Sequence, residues 1–317
     1  SIDVVVLCKK IEKGLASKVK YFFHMFKQMY YLSTSKVIIL DGYCICASVL
    51  KKKKNTTIIQ MWHALGAFKK FGLSIIDSEE GTSSKLSKVM KMHKNYDYIL
   101  TSSSNTRRYF KDAFGYDINR VIVMPLPRVD YLTDKKRKKE VIKKVIKRYP
   151  QCKSKKNIIY VPTFRKGMED IDKINELINC IDYSKYNFIV KPHPLSNIKI
   201  KDERVICDKY FSSIDMITMG DYVITDYSAI VFEASILEKP LFFYCYDYDK
   251  YYRRRNFYIN YKEEMPGIIT DDAKEIVNSI ENNQFDLDRV ERFRDKYIEL
   301  NEGKCTSNLV DFIFKFI

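Results

Sequence analysis

The chain has 317 residues, of which 46% are hydrophobic and 30% are charged. This is the composition of a globular protein with room for two domains, and it excludes disordered, collagen-like and disulfide-scaffold chains. The formal net charge is +16, yet residues 1–150 carry +19 while residues 151–317 carry −3. This asymmetry indicates that one domain faces a polyanion or an anionic membrane surface, with a generally basic proteome as the alternative.

The chain shows no sign of a membrane span. Its longest apolar stretch, Val37–Leu50, is interrupted by Asp41 and is shorter than the ~20 residues that a spanning helix needs. The first residues, Ser1-Ile2-Asp3, show neither an initiator methionine nor a signal-peptide pattern, so we expect a trimmed start. The eight cysteines are dispersed without CxxC or zinc spacing, which is typical of reduced cytosolic thiols.

Short apolar, β-branched runs alternate with helix-length connectors along the chain. Near-continuous apolar strands of this kind are typical of parallel sheets that are covered on both faces. The predicted strands are Val4–Leu7, Val37–Leu40, Thr57–Met61, Tyr98–Thr101, Val121–Met124, Ile158–Val161, Phe188–Lys191, Val205–Cys207, Tyr222–Thr225 and Leu241–Tyr244. Two such sets in series predict an α/β chain of two Rossmann-like domains.

Three connectors have helical patterns of their own. Ala16–Ser35 has an aromatic side and a lysine-bearing side, which favours packing on the first sheet or, alternatively, lying on a membrane surface. Asp134–Pro150 holds nine basic residues and predicts a basic helix, whose charged face is either simply solvated or faces an anion. We place the domain boundary at its end, giving domains 1–148 and 149–317. Asp288–Ile317 predicts a terminal helix that packs back on the first domain.

Polar residues follow several predicted strands, at the carboxyl ends where α/β domains place their ligands. In the first domain Trp62 and His63 follow a strand. Near neutral pH a histidine in that place can take a proton from a hydroxyl nucleophile, although a structural histidine is an alternative. In the second domain Arg165 and Lys166 follow a strand and a turn-forming proline, where a guanidinium suits a pair of phosphate oxygens.

Two further strand ends of the second domain carry chemistry. His193 stands between two prolines after Lys191, which should present its ring rigidly, unless it is an incidental member of a proline turn. The segment 221–234 runs from a strand through Thr225, Asp226 and Ser228 into an apolar helix. Free backbone N–H groups and hydroxyls there predict an anion site suited to a pyrophosphate, with ordinary N-capping as the alternative.

The sequence gives little sign of a metal or cofactor. Asp247-Tyr248-Asp249 has the spacing of a DxD motif, but two carboxylates before a basic run are a weak metal signal. No Walker A, GxGxxG or GxSxG motif is present. We therefore expect no metal site and no tightly bound cofactor; a divalent cation is compatible with these residues but is not indicated by them.

Five segments resemble, in the same order, the CDP-glycerol/CDP-ribitol polyol-phosphotransferase family of teichoic-acid and capsule synthesis. The similarity runs from about Tyr30 to the C-terminus. The segments are WHALGAFKKFG, VPTFR, KPHPL, ITDYSAIVFEASILEKPLFFYCYDYDKYYRRRNFYINY and LNEGKCTSNLVDFI. The resemblance implies a GT-B-like fold of two facing Rossmann-like domains, with the acceptor in the N-terminal one and the CDP-linked donor in the C-terminal one.

The resemblance also implies roles for individual residues. His63 corresponds to the general base that deprotonates the acceptor hydroxyl, and Glu233 falls on a nucleotide-binding carboxylate, with a surface carboxylate as the alternative. Many members have Gly-Thr-Pro where this chain has Ala64-Leu65-Gly66. The expected catalytic residues are His63 and His193, and the expected donor-binding residues are Arg165, Lys191, Thr225, Asp226, Ser228 and Glu233.

These observations predict an enzyme that transfers glycerol-phosphate or ribitol-phosphate from a CDP-polyol to a lipid-linked acceptor or a growing polymer and releases CMP. The alternatives are a GT-B glycosyltransferase that uses a nucleotide-sugar and a module that binds nucleic acid, for which no recognition motif is present. We expect a peripheral protein on the cytoplasmic face of the cell membrane, with an anionic membrane surface as partner and no nucleic acid. The expected acceptor and membrane contacts are Lys69, Lys70, Lys135, Lys136, Lys138 and Lys139.

Overall fold

The structure is a computed structural model that describes residues 2–9, 14–165, 171–196 and 198–317. Its strands form two parallel sheets, as predicted. The first sheet has the order β1 (Val37–Leu40), β2 (Thr57–Gln60), β3 (Tyr98–Thr101) and β4 (Val121–Val123). The second is built from β5 (Lys156–Tyr160), β6 (Tyr186–Val190), β7 (Val205–Cys207), β8 (Tyr222–Thr225), β9 (Leu241–Tyr244) and β10 (Ile268–Thr270).

Helices connect the strands and cover the sheets. Those before the second sheet are α1 (Leu15–Thr34), α2 (Ile45–Val49), α3 (Ser84–Val89), α4 (Arg107–Phe114), α5 (Arg128–Thr133) and α6 (Lys135–Arg148). Those that follow are α7 (Ile171–Cys180), α8 (Ser213–Met219), α9 (Ile230–Ile236), α10 (Tyr248–Arg255), α11 (Tyr261–Glu264), α12 (Ala273–Glu281), α13 (Leu287–Tyr297) and α14 (Cys305–Phe314).

The strand order of the second sheet, β10-β9-β8-β5-β6-β7, creates a crevice. The chain leaves β5 for β6 on one side and later returns to β8 on the other, so that Ile158 of β5 pairs with both Phe188 and Tyr222. At such a reversal the loops after the two central strands diverge and open a ligand crevice above their carboxyl ends. Those loops carry Arg165 and Asp226.

One strand prediction was wrong, and one strand of the structure was not predicted. Val4–Leu7 was predicted as a strand, but this run lies outside the sheets, with Val4 and Val6 each 81% exposed. A β-branched run becomes a strand only when a neighbour accepts its backbone groups, and the first sheet begins with β1. Strand β10 was not predicted, because its three residues follow Pro266-Gly267 and are too short to show a pattern.

Helix α1 does not bury its aromatic side on the first sheet. None of its residues is buried, and Phe22, Phe23 and Phe26 are each more than half exposed. The helix contacts α2 instead. Within the described part of the chain, no helix combines the length and the apolar character that crossing a membrane requires.

The two sheets share one continuous apolar core. Phe68, from the loop after β2, packs on Phe232 of α9 and on Phe257 and Tyr261 of the second half. Backbone pairing reinforces this contact, because the amide of Tyr258 donates to the carbonyl of Phe68 at 2.7 Å. The loop after β2 is therefore fixed to the second sheet's side of the molecule.

The end of the described chain returns to the first sheet. Leu309 of α14 is buried against Ile59 and Leu100, and the ring of Phe312 lies 5.2 Å from that of Tyr98. The boundary at residues 148/149 stays a prediction; helix α6, which precedes it, packs on α8 beside the second sheet.

Candidate functional site

His63 lies at the carboxyl end of β2, and its ring is oriented for taking up a proton. Its Nδ1 is 2.9 Å from the carbonyl oxygen of Asp41, which can only accept a hydrogen bond. Nδ1 therefore carries the hydrogen in the neutral ring, and Nε2 carries the lone pair. The residue is exposed, and none of the described residues hydrogen-bonds to Nε2. This is the arrangement that a general base requires.

The turn that presents His63 is held by unusual backbone geometry. Trp62 has a φ of 61°, in the left-handed region that bulky residues rarely adopt. Its N–H donates to Oε1 of Gln60 at 2.9 Å, and its ring stacks on Phe71 with centroids 5.0 Å apart. A residue stays in this region only when its surroundings fix it, and such residues cluster at functional sites.

Arg165 does not present its guanidinium to the cleft. It is 6% exposed, and its Nε and Nη2 donate to the two carboxylate oxygens of Asp247 at 2.8 and 2.9 Å. Nη1 lies 2.7 Å from Oδ2 of Asp226 in an ion pair and also donates to the carbonyl of Thr163. Most of its donor capacity is therefore used inside the protein, so its direct contact with a phosphate stays a prediction.

The other predicted residues of this crevice are also engaged internally. Asp226 is fully buried, and its Oδ1 accepts from the amide and the hydroxyl of Thr163 at 2.8 and 2.6 Å. The hydroxyl of Thr225 donates to the carbonyl of Val161. Lys191 is 6% exposed and lies 3.0 Å from the buried carboxylate of Asp208. These bonds tie neighbouring strand ends together and shape the crevice.

His193 and Ser228 are the predicted donor-side residues that reach solvent. His193 is exposed, its ring centroid lies 5.1 Å from that of Phe164, and its Nδ1 accepts the N–H of Leu195 at 3.2 Å. Burial of its ring, with a smaller contribution from Lys69, lowers the pKa of His193. Ser228 is partly exposed, and its hydroxyl accepts the N–H of Ile230, the first residue of α9, at 3.3 Å.

Glu233 lies on α9 at the contact between the two halves. It is 5% exposed, and its Oε1 accepts from Nη1 of Arg128 at 2.8 Å. The same Nη1 also donates to the backbone carbonyl of His63 at 2.9 Å. Burial raises the pKa of Glu233, and Arg128 acts in the opposite sense. Arg128 was not among the predicted site residues, because nothing local in the sequence reveals a contact across 105 positions.

Lys69 was predicted to face the acceptor or the membrane, but the structure places it between the two halves. Its Nζ lies 3.4 Å from the hydroxyl of Tyr251 and beside the ring of Phe68. Among the described residues no carboxylate lies within 4 Å of this nitrogen. Burial, and next the charge of Arg255, lower the pKa of Lys69 to about 8. A partly buried ammonium with this little compensation can attract an anion.

The remaining predicted lysines lie farther out. Lys70 is partly exposed beside Lys69, and its N–H donates to the carbonyl of Asn256 at 3.2 Å. The others are on α6, with side chains that are exposed or partly exposed, and they are Lys135, Lys136, Lys138 and Lys139.

Two further residues of the sequence prediction are Lys166, beside Arg165, and Asp247, the first carboxylate of the DxD sequence. Lys166, predicted with Arg165 to follow a strand, lies outside the described residues. Asp247 of the DxD sequence is held by Arg165, and Tyr227 also donates to it at 3.1 Å. Across the ranges that the structure describes, no group of three or more His, Cys, Asp or Glu side chains is arranged to hold a metal ion.

Comparison with known proteins places the chain in a family. Residues 4–315 match the family described as CDP-Glycerol:Poly(glycerophosphate) glycerophosphotransferase. The chain is 33% identical to the teichoic acid ribitol-phosphate primase of Bacillus spizizenii, over 100% of this chain and 84% of that protein. It is 34% identical to the teichoic acid glycerol-phosphate primase of Bacillus subtilis, over 93% of this chain and 77% of that protein.

The fold is similar to that of a solved wall teichoic acid polymerase. A histidine variant of TagF, soaked with CDPG, superimposes with a TM-score of 0.75 and 25% identity, over 96% of this chain and 76% of that one. The two facing parallel sheets agree with the predicted GT-B-like fold. The chain therefore belongs to the CDP-glycerol:poly(glycerophosphate) glycerophosphotransferase family.

Proposed function

We propose that this protein transfers a polyol-phosphate group from a CDP-polyol, CDP-glycerol or CDP-ribitol, to a hydroxyl of a lipid-linked teichoic-acid or capsule acceptor. The observation that carries the proposal is the orientation of His63. Its Nδ1–H is held by the carbonyl of Asp41, so that its Nε2 lone pair is available at the carboxyl end of β2. Family membership and the primase relatives support the substrate class.

The reaction follows from this orientation. As the acceptor hydroxyl attacks the phosphorus that carries the polyol, its proton passes to Nε2 of His63. A new oxygen–phosphorus bond forms, the bond from phosphorus to the CMP oxygen breaks, and CMP leaves with that electron pair. Transfer of this kind depends mainly on alignment and charge stabilisation. The carbonyl of Asp41 stabilises the imidazolium, because it continues to accept the Nδ1–H bond.

The donor occupies the crevice above β5 and β8 in this proposal. His193 and Ser228 contact its phosphates, because they are the predicted residues with exposed polar atoms there. Lys69 supplies positive charge from the opposite side of the cleft. Arg165, Lys191, Thr225 and Asp226 act mainly by fixing the shape of the crevice, since their polar atoms bond to one another and to the backbone.

We also propose that the enzyme is peripheral on the cytoplasmic face of the membrane. The exposed aromatic face of α1 is accompanied by the exposed lysines Lys18, Lys20 and Lys27. A helix with these two features binds the boundary between lipid headgroups and acyl chains. The basic helix α6 would add electrostatic attraction to anionic lipid or to the acceptor polymer.

The test is release of CMP from CDP-glycerol and from CDP-ribitol in the presence of a lipid-linked acceptor. The wild-type protein should release CMP with one of the two donors, and His63→Ala should reduce the rate by roughly 10²- to 10⁴-fold. Arg204→Met is the control, because it removes an exposed basic side chain before β7, outside α1 and α6 and away from the strand ends that carry His63, His193 and Ser228. Release from neither donor would disprove the proposal. Binding of a UDP-sugar without binding of either CDP-polyol would favour a glycosyltransferase instead.

A further inference from the structure

Arg128 links the residue proposed as base to the helix beside the donor crevice. It is the first residue of α5, and its Nη1 donates both to the carbonyl of His63, at 2.9 Å, and to Oε1 of Glu233, at 2.8 Å. The arginine side chain is 34% exposed and the glutamate side chain 7% exposed. No role proposed so far uses this arginine.

The carbonyl that Arg128 holds belongs to the residue that follows the left-handed Trp62. Holding this carbonyl restrains the backbone from which the imidazole of His63 projects. The ring itself is attached at one further point, its Nδ1, which is bonded to Asp41. The side chain of Arg128 is thus one of two described hydrogen-bonding contacts that fix His63.

Glu233 in turn fixes Arg128. A guanidinium can adopt many rotamers, and a buried carboxylate at 2.8 Å selects one of them. Close packing keeps this helix near the turn, because a Cβ at Gly66 would lie 2.7 Å from the ring of Phe232, the neighbour of Glu233 on α9. The turn after β2 and the donor-side helix are therefore joined by packing and by one charged contact.

We infer that Arg128 is a positioning residue, which Glu233 anchors and which sets the orientation of His63 relative to the donor crevice. This inference rests on the proposed function for its catalytic consequence. It also changes the expected role of Glu233: its carboxylate is engaged by Arg128 and acts as an anchor for the base, not as the ligand of the donor ribose.

The experiment compares Arg128→Gln, Glu233→Gln and the double variant in three measurements. These are kcat at saturating donor, the Kd for the CDP-polyol by calorimetry, and amide hydrogen exchange of residues 60–66. We expect each single change to lower kcat by about 10- to 100-fold, because a misplaced base loses reaction rate without losing substrate affinity. The donor Kd should stay within about threefold, and exchange at 60–66 should become faster.

The double variant and a conservative variant test the coupling. Because the two residues act as one unit, the double variant should be no slower than the slower single variant. It also removes both charges together, so it stays folded even if Arg128→Gln alone is destabilised by the unpaired carboxylate. Arg128→Lys, which keeps a charged donor, should recover part of kcat. The control pair Arg204→Gln and Asp202→Asn removes an ion pair, 2.6 Å long, from the loop before β7, which belongs to neither α5 nor α9. It should alter neither kcat nor exchange at 60–66.

Two results would overturn the inference. One is a donor Kd that rises tenfold or more in Glu233→Gln but not in Arg128→Gln, which would make Glu233 a donor ligand. The other is unchanged hydrogen exchange at 60–66 in all three variants. Hydrogen exchange needs no substrate, so it tests the link even if neither CDP-polyol is turned over, a result that would count against the proposed function alone.

Discussion

The strand ends of the two sheets carry similar residues but use them differently. After β2 of the first sheet, the exposed His63 has one ring nitrogen held by a carbonyl, and none of the described residues hydrogen-bonds to the other. After β5 and β8 of the second sheet, Arg165 and Asp226 are buried against each other. A polar residue at the end of a parallel strand can therefore act on a ligand or can hold the crevice in shape. A buried, oppositely charged side chain on the neighbouring strand end, as Asp226 is for Arg165, favours the second role, whereas a backbone carbonyl, as Asp41 provides for His63, leaves the other ring nitrogen unbonded within the described part of the chain.

The largest expected effect is a loss of folding stability on replacing Arg165, and it tests whether this residue holds the crevice in shape or binds the donor. Arg165→Met would leave the carboxylates of Asp226 and Asp247 without their counter-charge in the protein interior, and should lower the free energy of unfolding by about 3–5 kcal/mol. Urea denaturation would measure this. Arg204→Met is the control, since Arg204 pairs with Asp202 at the surface and should cost less than about 1 kcal/mol. A stable Arg165→Met protein that had lost donor binding would make Arg165 a ligand after all.

A second prediction concerns the surface of the first half, where α1 exposes its aromatic side. Replacing Phe22, Phe23 and Phe26 together by serine should weaken binding to vesicles that contain anionic lipid by roughly 100-fold, or about 3 kcal/mol. Vesicle sedimentation would measure the change. Tyr210→Ser, at an exposed aromatic residue in the loop after β7, should leave vesicle binding unchanged.

Reversing the charges on α6 separates electrostatic attraction from apolar insertion. Reversing four lysines of α6 should weaken vesicle or polymer binding while leaving CDP-polyol affinity unaltered, because their side chains are exposed or partly exposed on a helix that carries none of the expected donor-binding residues. Equal loss of both affinities would mean that the basic half has no specific role at the membrane. The residues to be reversed are Lys135, Lys136, Lys138 and Lys139.

The smallest expected effect is a pH dependence of CDP-polyol affinity, which tests whether Lys69 contacts the donor. Its pKa of about 8 means that the ammonium is charged below pH 8 and loses its charge as the pH rises through that value. Affinity for the CDP-polyol should therefore fall about tenfold between pH 7 and pH 9. Lys69→Arg should move this fall to higher pH, whereas Lys69→Met should bind weakly at every pH. A pH profile that is identical in all three proteins would show that Lys69 does not contact the donor.

Local pattern was enough to predict most strands and the place of His63 at the carboxyl end of β2. Tyr222–Thr225 was predicted with correct bounds, because a short, largely β-branched apolar run between turn signals is typical of a buried strand. His63 was predicted as a site residue because both its position just after a strand and the proton-accepting capacity of an imidazole can be recognised from the neighbouring sequence alone. Arg128 was not, because its function depends on Glu233, which is distant in sequence. The aromatic face of α1 was predicted to pack on the first sheet but is exposed, because an amphipathic pattern predicts a helix without indicating what covers its apolar face.

The return of α14 to the first sheet has a consequence for the order of synthesis. Asp130 of α5 accepts the N–H groups of Cys305 and Thr306 at 3.0 and 2.7 Å, and Leu309 fills the space over Ile59 and Leu100. The half of the molecule that is made first is thus completed by residues that are made after the whole second sheet. A nascent chain that ends before residue 305 should be able to fold its donor crevice while the sheet that carries His63 still exposes an apolar face.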